Sequence, residues 1–439
     1  MSTAVATEPR FGAIEPLRIA GEPEHLRNIR EQAADRFNTL GIPTTRLEEW
    51  KYTSLQQLAR VDWQLDSRAP RNAENHTESN ASMQGKAIAE LVFVNGNLAS
   101  SNALSDHPGI RVTPFAQASE RELFQRHFSR YADYKEHAMT ALNTALANGG
   151  AVIEIGAGTV VEGFIHLLFI GDGSGGPVMS HPRNLIVVGR GAEVTVVESY
   201  VGRGTYFTNT VTEIVAGDGA VIDHVKLECE SLEAFHIGTV QVHQERSSSV
   251  TARTMSIGGA LARNETNVAL AGEGASLTLD GLFVVNGRQH VDNHTVIDHA
   301  RPHCDSLELY KGILDDSSRG IFDGRIIVRP DAQKTASRQT NHNLLLSETA
   351  IVDSKPTLEI HNDDVKCNHG STIGQLDEQA LFYLRARGIG EGDARSLLIS
   401  AFASELVDRI KSEPVREQVR RVMYEKMANR LPERREEPR

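Results

Sequence analysis

Apolar residues Leu26, Ile29, Ala33, Phe37 and Leu40 recur at steps of three and four. That spacing gathers them on one face and predicts a helix over 22–40, stopped by Gly41 and Pro43. Leu91-Val-Phe-Val-Asn-Gly96 predicts a strand running into a tight turn, and helical spacing returns over 117–148. The polar stretch 68–86, rich in Asn, Ser and Glu, reads as a linker or loop.

From about residue 150 the texture changes. For about two hundred residues, short runs rich in Val, Ile and Thr alternate with Gly, Asp and Ser corners. Three corners echo one another: Gly-Arg-Gly-Ala-Glu-Val at 189–194, Gly-Asp-Gly-Ala-Val-Ile at 217–222 and Gly-Glu-Gly-Ala-Ser-Leu at 272–277, spaced by 28 and then 55 residues. Short strands repeating at this period mean a solenoid or a propeller. No Trp-Asp or Kelch-like signature and no hexapeptide rhythm is present, so a stack of larger coils is expected. Helical spacing resumes over 377–387, between Asp377 and Gly388, and over 393–411, where Leu397, Leu398, Phe402, Leu406 and Ile410 share a stripe. A third helix opens at Pro414 and carries Val419, Val422, Met423 and Met427.

The expected fold is mainly β: a right-handed parallel β-helix over 149–374, flanked by an N-terminal helical domain (1–148, with a linker and short strands) and a C-terminal helical domain (375–439). An open β-helix exposes unpaired strand edges at both ends, and the helical ends are expected to cover them. Residues 430–439, charged and with two prolines, are expected to fray.

Composition narrows the function. Among 439 residues, 40% are hydrophobic and 24% charged, which marks a folded chain. A formal net charge of −12 argues against nucleic acid and anionic membrane as partners. The first twenty residues carry no apolar segment behind a basic start, so no secretory signal is expected. The strongest apolar run, Phe164–Ile170, is too short to span a bilayer. Three scattered cysteines, Cys229, Cys304 and Cys367, make no disulfide framework. A cytoplasmic location is the expectation.

Several motifs promise chemistry. Gly171-Asp-Gly-Ser-Gly-Gly176 has dinucleotide-loop spacing but no following helix to hold a pyrophosphate, and reads as a loop. No Gly-x-x-x-x-Gly-Lys-Ser/Thr cradle occurs, so any ATP hydrolysis must come from a partner. The run His290–Cys304 holds four histidines and a cysteine. In a β-helix those residues alternate faces and occupy corners, so they are not expected to converge on a metal. Cys367 and His369, two apart, share a face if the segment is extended. Lys366 and His369 are placed to lower the thiol pKa, and the thiolate is the form that binds iron or sulfur. Spacing alone nonetheless favours a partly buried, inert thiol beside a hydrogen-bonded imidazole.

Asp364-Val-Lys-Cys-Asn-His-Gly-Ser-Thr-Ile-Gly374, Leu376–Gln379 and Leu381–Ile389 resemble the C-terminal signature of the SufB/SufD family. Tyr310–Leu314 and Ser318–Phe322 resemble its shared β-helix segment, and Arg46–Leu55, with Trp50-Lys-Tyr-Thr53, is similar to a segment near the start of its SufD branch. Cys367-Asn-His-Gly370 is the SufD form of an element that tends to be Glu-His-Glu in SufB.

The resemblance implies a right-handed parallel β-helix with helical domains at both ends. It implies a non-catalytic scaffold subunit of the SUF iron–sulfur cluster assembly complex, supporting cluster formation and iron acquisition. Its partners would be SufB and the ATPase SufC, docked on the C-terminal helices, here through Leu397, Phe402, Leu406 and Ile410. It reverses the inert reading of Cys367 and His369, making them a cluster-assembly pair at the SufB contact and transient metal ligands. No cofactor bound stably by this chain alone is expected, only a transient iron–sulfur cluster in the complex, and a homodimer stays open to the isolated chain. The alternatives are a SufB-like subunit that itself nucleates the cluster and a β-helix carbohydrate-active enzyme. The enzyme would need clustered carboxylates and usually export, and would leave the C-terminal helices unexplained.

Overall fold

The computed structural model of the chain describes residues 11–19, 21–66, 83, 86–102 and 107–428. Residues 430–439 and nearly all of 68–86 lie outside them. Helix α1 (Glu24–Leu40) buries Leu26, Ala33 and Phe37, and Gly41 ends it at φ 68° with its N–H on the Phe37 carbonyl. A 3-10 turn (Glu48–Trp50), α2 (Gln56–Ala59) and β1 (Gln64–Leu65) come next. Strands β2 (Ala89–Val94) and β3 (Asn97–Asn102) form an antiparallel hairpin. Asn95 and Gly96 turn it, both at positive φ, as the Asn-Gly pair predicts.

After β4 (Ile110–Pro114), the helical stretch expected over 117–148 is broken into α3 (Phe115–Ala118), α4 (Glu122–His127) and α5 (Ala138–Leu146). The buried carboxylate of Glu213, from the solenoid wall, interrupts it. That group accepts the backbone N–H groups of Ser129, Tyr131 and Ala132 at 2.8, 2.9 and 3.0 Å. A backbone held that way cannot also close helical hydrogen bonds.

The coils comprise β5 (Ala151–Ile155), β6 (Ile165–Ser180), β7 (Arg183–Val188), β8 (Glu193–Ala216), β9 (Val221–Cys229), β10 (Phe235–Gln244), β11 (Ser249–Ser256) and β12 (Leu261–Leu270). They continue through β13 (Ser276–Val285), β14 (His290–His299), β15 (Asp305–Leu314), β16 (Arg319–Val328), β17 (Thr335–Leu345), β18 (Ile351–Ile360) and β19 (Val365–Gly374). They pair in parallel in about eight turns, so the chain is a parallel β-solenoid with helical regions before and after it. One wall runs β5, β7, the second half of β8, β10, β12, β14, β16, β18. The other runs β2, β6, the first half of β8, β9, β11, β13, β15, β17, β19.

The echoing corners form one vertical stack. Gly191, Gly219 and Gly274 take φ between 64° and 70°, and Ser247, His303 and Lys334 hold the equivalent left-handed turn in other coils. The next residue turns inward and is buried and small: Ala192, Ala220, Ser248, Ala275, Cys304 and Thr335. Three of the six corners are thus hidden from sequence reading, because a non-glycine bears the strain.

Inward-facing Val, Ile, Leu and aromatic side chains form the main core, with Phe93, Phe169 and Tyr200 stacked at 5.1 and 4.9 Å near its start. Between them runs a column of buried polar groups. Glu198 meets His224 at 3.1 Å and the Tyr200 hydroxyl at 2.5 Å. Lys226 meets Glu228, His236 and Asn264 at 2.7, 2.8 and 2.7 Å. Further along, Gln339 donates to Glu308 at 2.6 Å. Alternation within Val221-Ile-Asp-His-Val-Lys-Leu-Glu-Cys229 holds the signal: His224, Lys226 and Glu228 share the parity of core residue Ile222.

The C-terminal helices α6 (Glu378–Ala386), α7 (Glu391–Val407) and α8 (Glu413–Ala428) correct one expectation. They do not cover the end of the solenoid. α7 and α8 fold back over the outer face of the second wall, where Ile399, Leu406, Val407, Val415 and Val419 pack on Val225, Leu227, Met255, Leu282 and Leu309. Polar pins fix them. Lys311 donates to the Phe402 carbonyl at 2.9 Å and pairs with Glu405 at 2.6 Å, and Arg409 pairs with Asp280 at 3.0 Å.

Burial pushes Glu308 from its ordinary value near 4.5 up to about 7, against hydrogen bonds from Thr295 and Gln339. Between those values the folded state keeps a proton that the unfolded state releases. Stability should therefore fall as pH rises from 4.5 to 7 and level off above. Glu308→Gln removes the titration, so the variant should gain on wild type across that window, by on the order of 3 kcal/mol in full. Urea unfolding at pH 5 and pH 7.5 measures it, and an identical pH dependence in both proteins would exclude a raised Glu308.

Candidate functional site

The last coil is the least covered part of the solenoid. Residues of β18 are intermediate to exposed and most of β19 is exposed, with Ile351, Ile360 and Ile373 among the exposed large apolar side chains. Among the described residues strand β19 pairs only with β17 and β18 ends the other ladder, so their outer edges have no strand partner there.

Cys367 and His369 lie on this final rung and share one strand face, as their i, i+2 spacing predicts; that face is the one turned to the core. Cys367 is half-buried and packs on the main apolar core, whereas His369 is exposed. Burial raises the Cys367 thiol, opposed only by the Ser337 backbone N–H. The expected lowering by Lys366 and His369 does not occur, because Lys366, one position away, falls on the opposite face of the strand. This thiol is therefore harder to ionise than a free one.

The run His290–Cys304 disperses. His290 Nε2 lies 2.8 Å from the Thr53 hydroxyl on the outer face, and His294 pairs with Asp292 at 2.9 Å. His299 faces inward, 2.9 Å from Ser306 Oγ, and burial drops its pKa to about 4. His303 and Cys304 build the corner. Among the described residues no group of three or more His, Cys, Asp or Glu is arranged to hold a metal ion.

The Gly171–Gly176 segment was expected to loop, and instead continues β6. Gly171 and Gly173 pair with Gly202 and Gly204 of β8, and the register shifts between Gly173 and Val178. A Cβ on Gly171 would lie 2.3 Å from the Tyr206 ring, so glycine there serves close strand contact.

The Arg46–Leu55 segment gains a clear place. It straps across the outer face of the first wall, with Trp50 buried 3.9 Å from the Arg263 guanidinium, Thr53 donating to Asp292 at 2.5 Å and Glu48 paired with Lys355 at 2.9 Å. A cavity of about 310 Å³ lies beside it, lined by Glu48, Arg263, Glu265, His294, Asp323 and Lys355 among others.

The predicted docking stripe is divided. Leu406 and Ile410 are buried against the solenoid, so they cannot meet a partner while α7 is docked. Phe402 is partly buried, its ring 4.6 Å from Lys311 Nζ. Only Leu397 points outward, as Phe382, Tyr383 and Tyr424 do. Periodicity finds the apolar stripe but not which neighbour uses it. No helix among the described residues is long and apolar enough to cross a membrane.

Residues 17–167 match the SufBD protein N-terminal region, and residues 169–402 match the SufBD core domain of SUF system FeS cluster assembly. An iron–sulfur cluster assembly SufBD family protein of Synechocystis is 34% identical over 403 residues, covering 89% of this chain and 88% of its own. The iron–sulfur cluster assembly protein SufD of Escherichia coli is 31% identical over 398 residues, covering 89% and 90%. SufD of Bacillus subtilis is 26% identical over 419 residues, covering 92% and 95%. Family models that match from residue 17 to 402, and relatives aligned over about nine-tenths of the chain, leave one assignment: the chain belongs to the SufBD family of the SUF iron–sulfur cluster assembly system.

Proposed function

We propose that the chain is the SufD-type scaffold subunit of a cytoplasmic SUF complex. In this reading it pairs with SufB through the uncovered end of its β-solenoid and docks the ATPase SufC on its C-terminal helices. The observation that carries it is the last coil. Exposed Ile351, Ile360 and Ile373 and an unpaired strand edge leave a surface suited to a second solenoid. Cys367 and His369 sit within that surface. The Cys-x-His-Gly element favours SufD over SufB. The chain then acts by holding partners and offering a thiol and an imidazole where the cluster grows, with no cofactor stably its own.

Pairing is tested by charge. Ile373→Asp and Ile351→Asp alter exposed side chains, so the monomer should keep its melting temperature. Co-purification with SufB should fall at least tenfold, and any self-association of the isolated chain should fall with it. SufB retained at wild-type level by the double variant would place the contact elsewhere.

SufC docking calls for surface variants. Deleting 393–439 would strip the cover from Val225, Leu227, Met255 and Leu282 and is expected to cause aggregation. Leu397→Asp with Phe382→Asp should weaken SufC binding while leaving SufB bound and the fold intact. The purified chain alone should neither bind nor hydrolyse ATP. Unchanged SufC affinity in the double variant, or turnover by the chain alone, would count against the scaffold reading.

At the site, His369→Ala should leave assembly intact and cut iron and cluster absorbance in complexes purified without oxygen. Cys367→Ser should lose less, since its half-buried thiol is harder to ionise. Wild-type iron in His369→Ala would remove the imidazole from the mechanism.

A further inference from the structure

The rung that carries His369 is the last of an inward-facing ladder, and its two predecessors are polar. Registered pairing places Glu308 of β15 beside Gln339 of β17, and Gln339 beside His369 of β19. Neighbouring rungs stand about 4.8 Å apart, within reach of a side-chain hydrogen bond. Glu308 and Gln339 are buried, at 0% and 1% exposure. Gln339 Nε2 donates to Glu308 Oε2 at 2.6 Å, which fixes which end of the amide points back into the core. Gln339 Oε1 is buried without a hydrogen-bond partner among the described residues. A buried, unpaired carbonyl costs about 1–3 kcal/mol, so such a group calls for a donor. The exposed imidazole on the next rung can supply one by rotating about its own side-chain bonds.

We propose that Glu308 and Gln339 are positioning residues for His369: Gln339 Oε1 accepts one ring N–H, Glu308 holds the Gln339 amide in the orientation that allows it, and the other ring nitrogen presents its lone pair at the open end. A neutral imidazole has one donor and one acceptor nitrogen, and the partner of the first decides which nitrogen is free to bind. A ligating histidine is commonly oriented this way by an acceptor behind it. Gly324 on the facing wall leaves room for the amide, since a Cβ there would lie 2.3 Å from Gln339 Nε2.

The proposal rests on the reading of His369 as the site residue, so its test separates the two. The full-length chain is labelled with ¹⁵N-histidine, the His369 ring signals are assigned by their loss in His369→Ala, and the ring-nitrogen shifts are read at one fixed pH without iron. Wild type should show one dominant tautomer. Gln339→Asn, too short to bridge both neighbours, and Glu308→Leu should each give a mixture. Glu308→Gln, which keeps a carbonyl acceptor for the amide, should preserve the wild-type signature. Circular dichroism and melting confirm folding, and Gln339→Asn serves if Glu308→Leu fails to fold. Titration of iron(II) alone, without oxygen, should show roughly tenfold weaker binding in Gln339→Asn than in wild type. Unchanged His369 ring shifts in Gln339→Asn overturn the proposal, as does a mixed signature in Glu308→Gln equal to that in Glu308→Leu. Iron retained by His369→Ala would instead remove the metal reading while the ring signature still judged the ladder.

Discussion

A coil in a stack covers its inward side chains with the coils on either side of it, and the last coil has a neighbour on one side alone. In this chain the C-terminal helices could have closed that side. They are spent elsewhere, because α7 and α8 fill the apolar outer face of the second wall, where Ile399, Leu406 and Val419 meet Val225, Leu227 and Leu282. Among the described residues the final rung is left with inward-facing His369 at the surface and no strand on its backbone edge. A parallel edge of this kind is a template for another strand. The exposure of Ile351, Ile360 and Ile373 and the position of Cys367 and His369 have one origin.

The same constraint explains the polar column. A side chain that must be covered by neighbours of its own parity can be charged only if the adjacent rungs supply partners. Lys226 has Glu228, His236 and Asn264 within 2.8 Å, and burial alone would push Glu228 up, yet Lys226 and His236 hold its carboxyl down at about 2. Breaking such a set leaves a buried charge without compensation, whereas replacing it whole with apolar residues is often harmless to stability. Near the open end partners run short. Gln339 has one polar atom satisfied and one not, and the group that could complete it is exposed. Gln244 and His299, in coils stacked on both sides, also bury a polar atom without a hydrogen-bond partner among the described residues, but only Gln339 has an exposed imidazole on the next rung.

Much of this was legible in the sequence, and the failures share a cause. Helix α1, the Asn95-Gly96 hairpin, the start of the coils and the three C-terminal helices arise from local periodicity and turn chemistry, which operate within a few residues. The Cys367–His369 spacing also told their common face. The breakup of 117–148 depends on Glu213, about eighty positions away, reaching three backbone N–H groups. The fate of Leu406 and Ile410 depends on an outer wall whose apolar residues lie mostly more than a hundred positions earlier. Ser247, His303 and Lys334 concealed half of one corner stack because their strain is visible only in φ. Spacing along the chain says which residues share a face, and not what stands opposite it.

At Cys367 those two kinds of information diverge. Sequence neighbours Lys366 and His369 suggest a thiol poised to ionise. The fold puts Lys366 on the other face and packs the sulfur against apolar core, which raises its pKa. A thiol in that setting stays protonated at neutral pH, and a metal cation would have to displace its proton to bind it. His369 has the opposite situation: its side chain is exposed on the last rung. On the proposed reading, an exposed imidazole would be open to an incoming ion, while the half-buried thiol would first have to lose its proton.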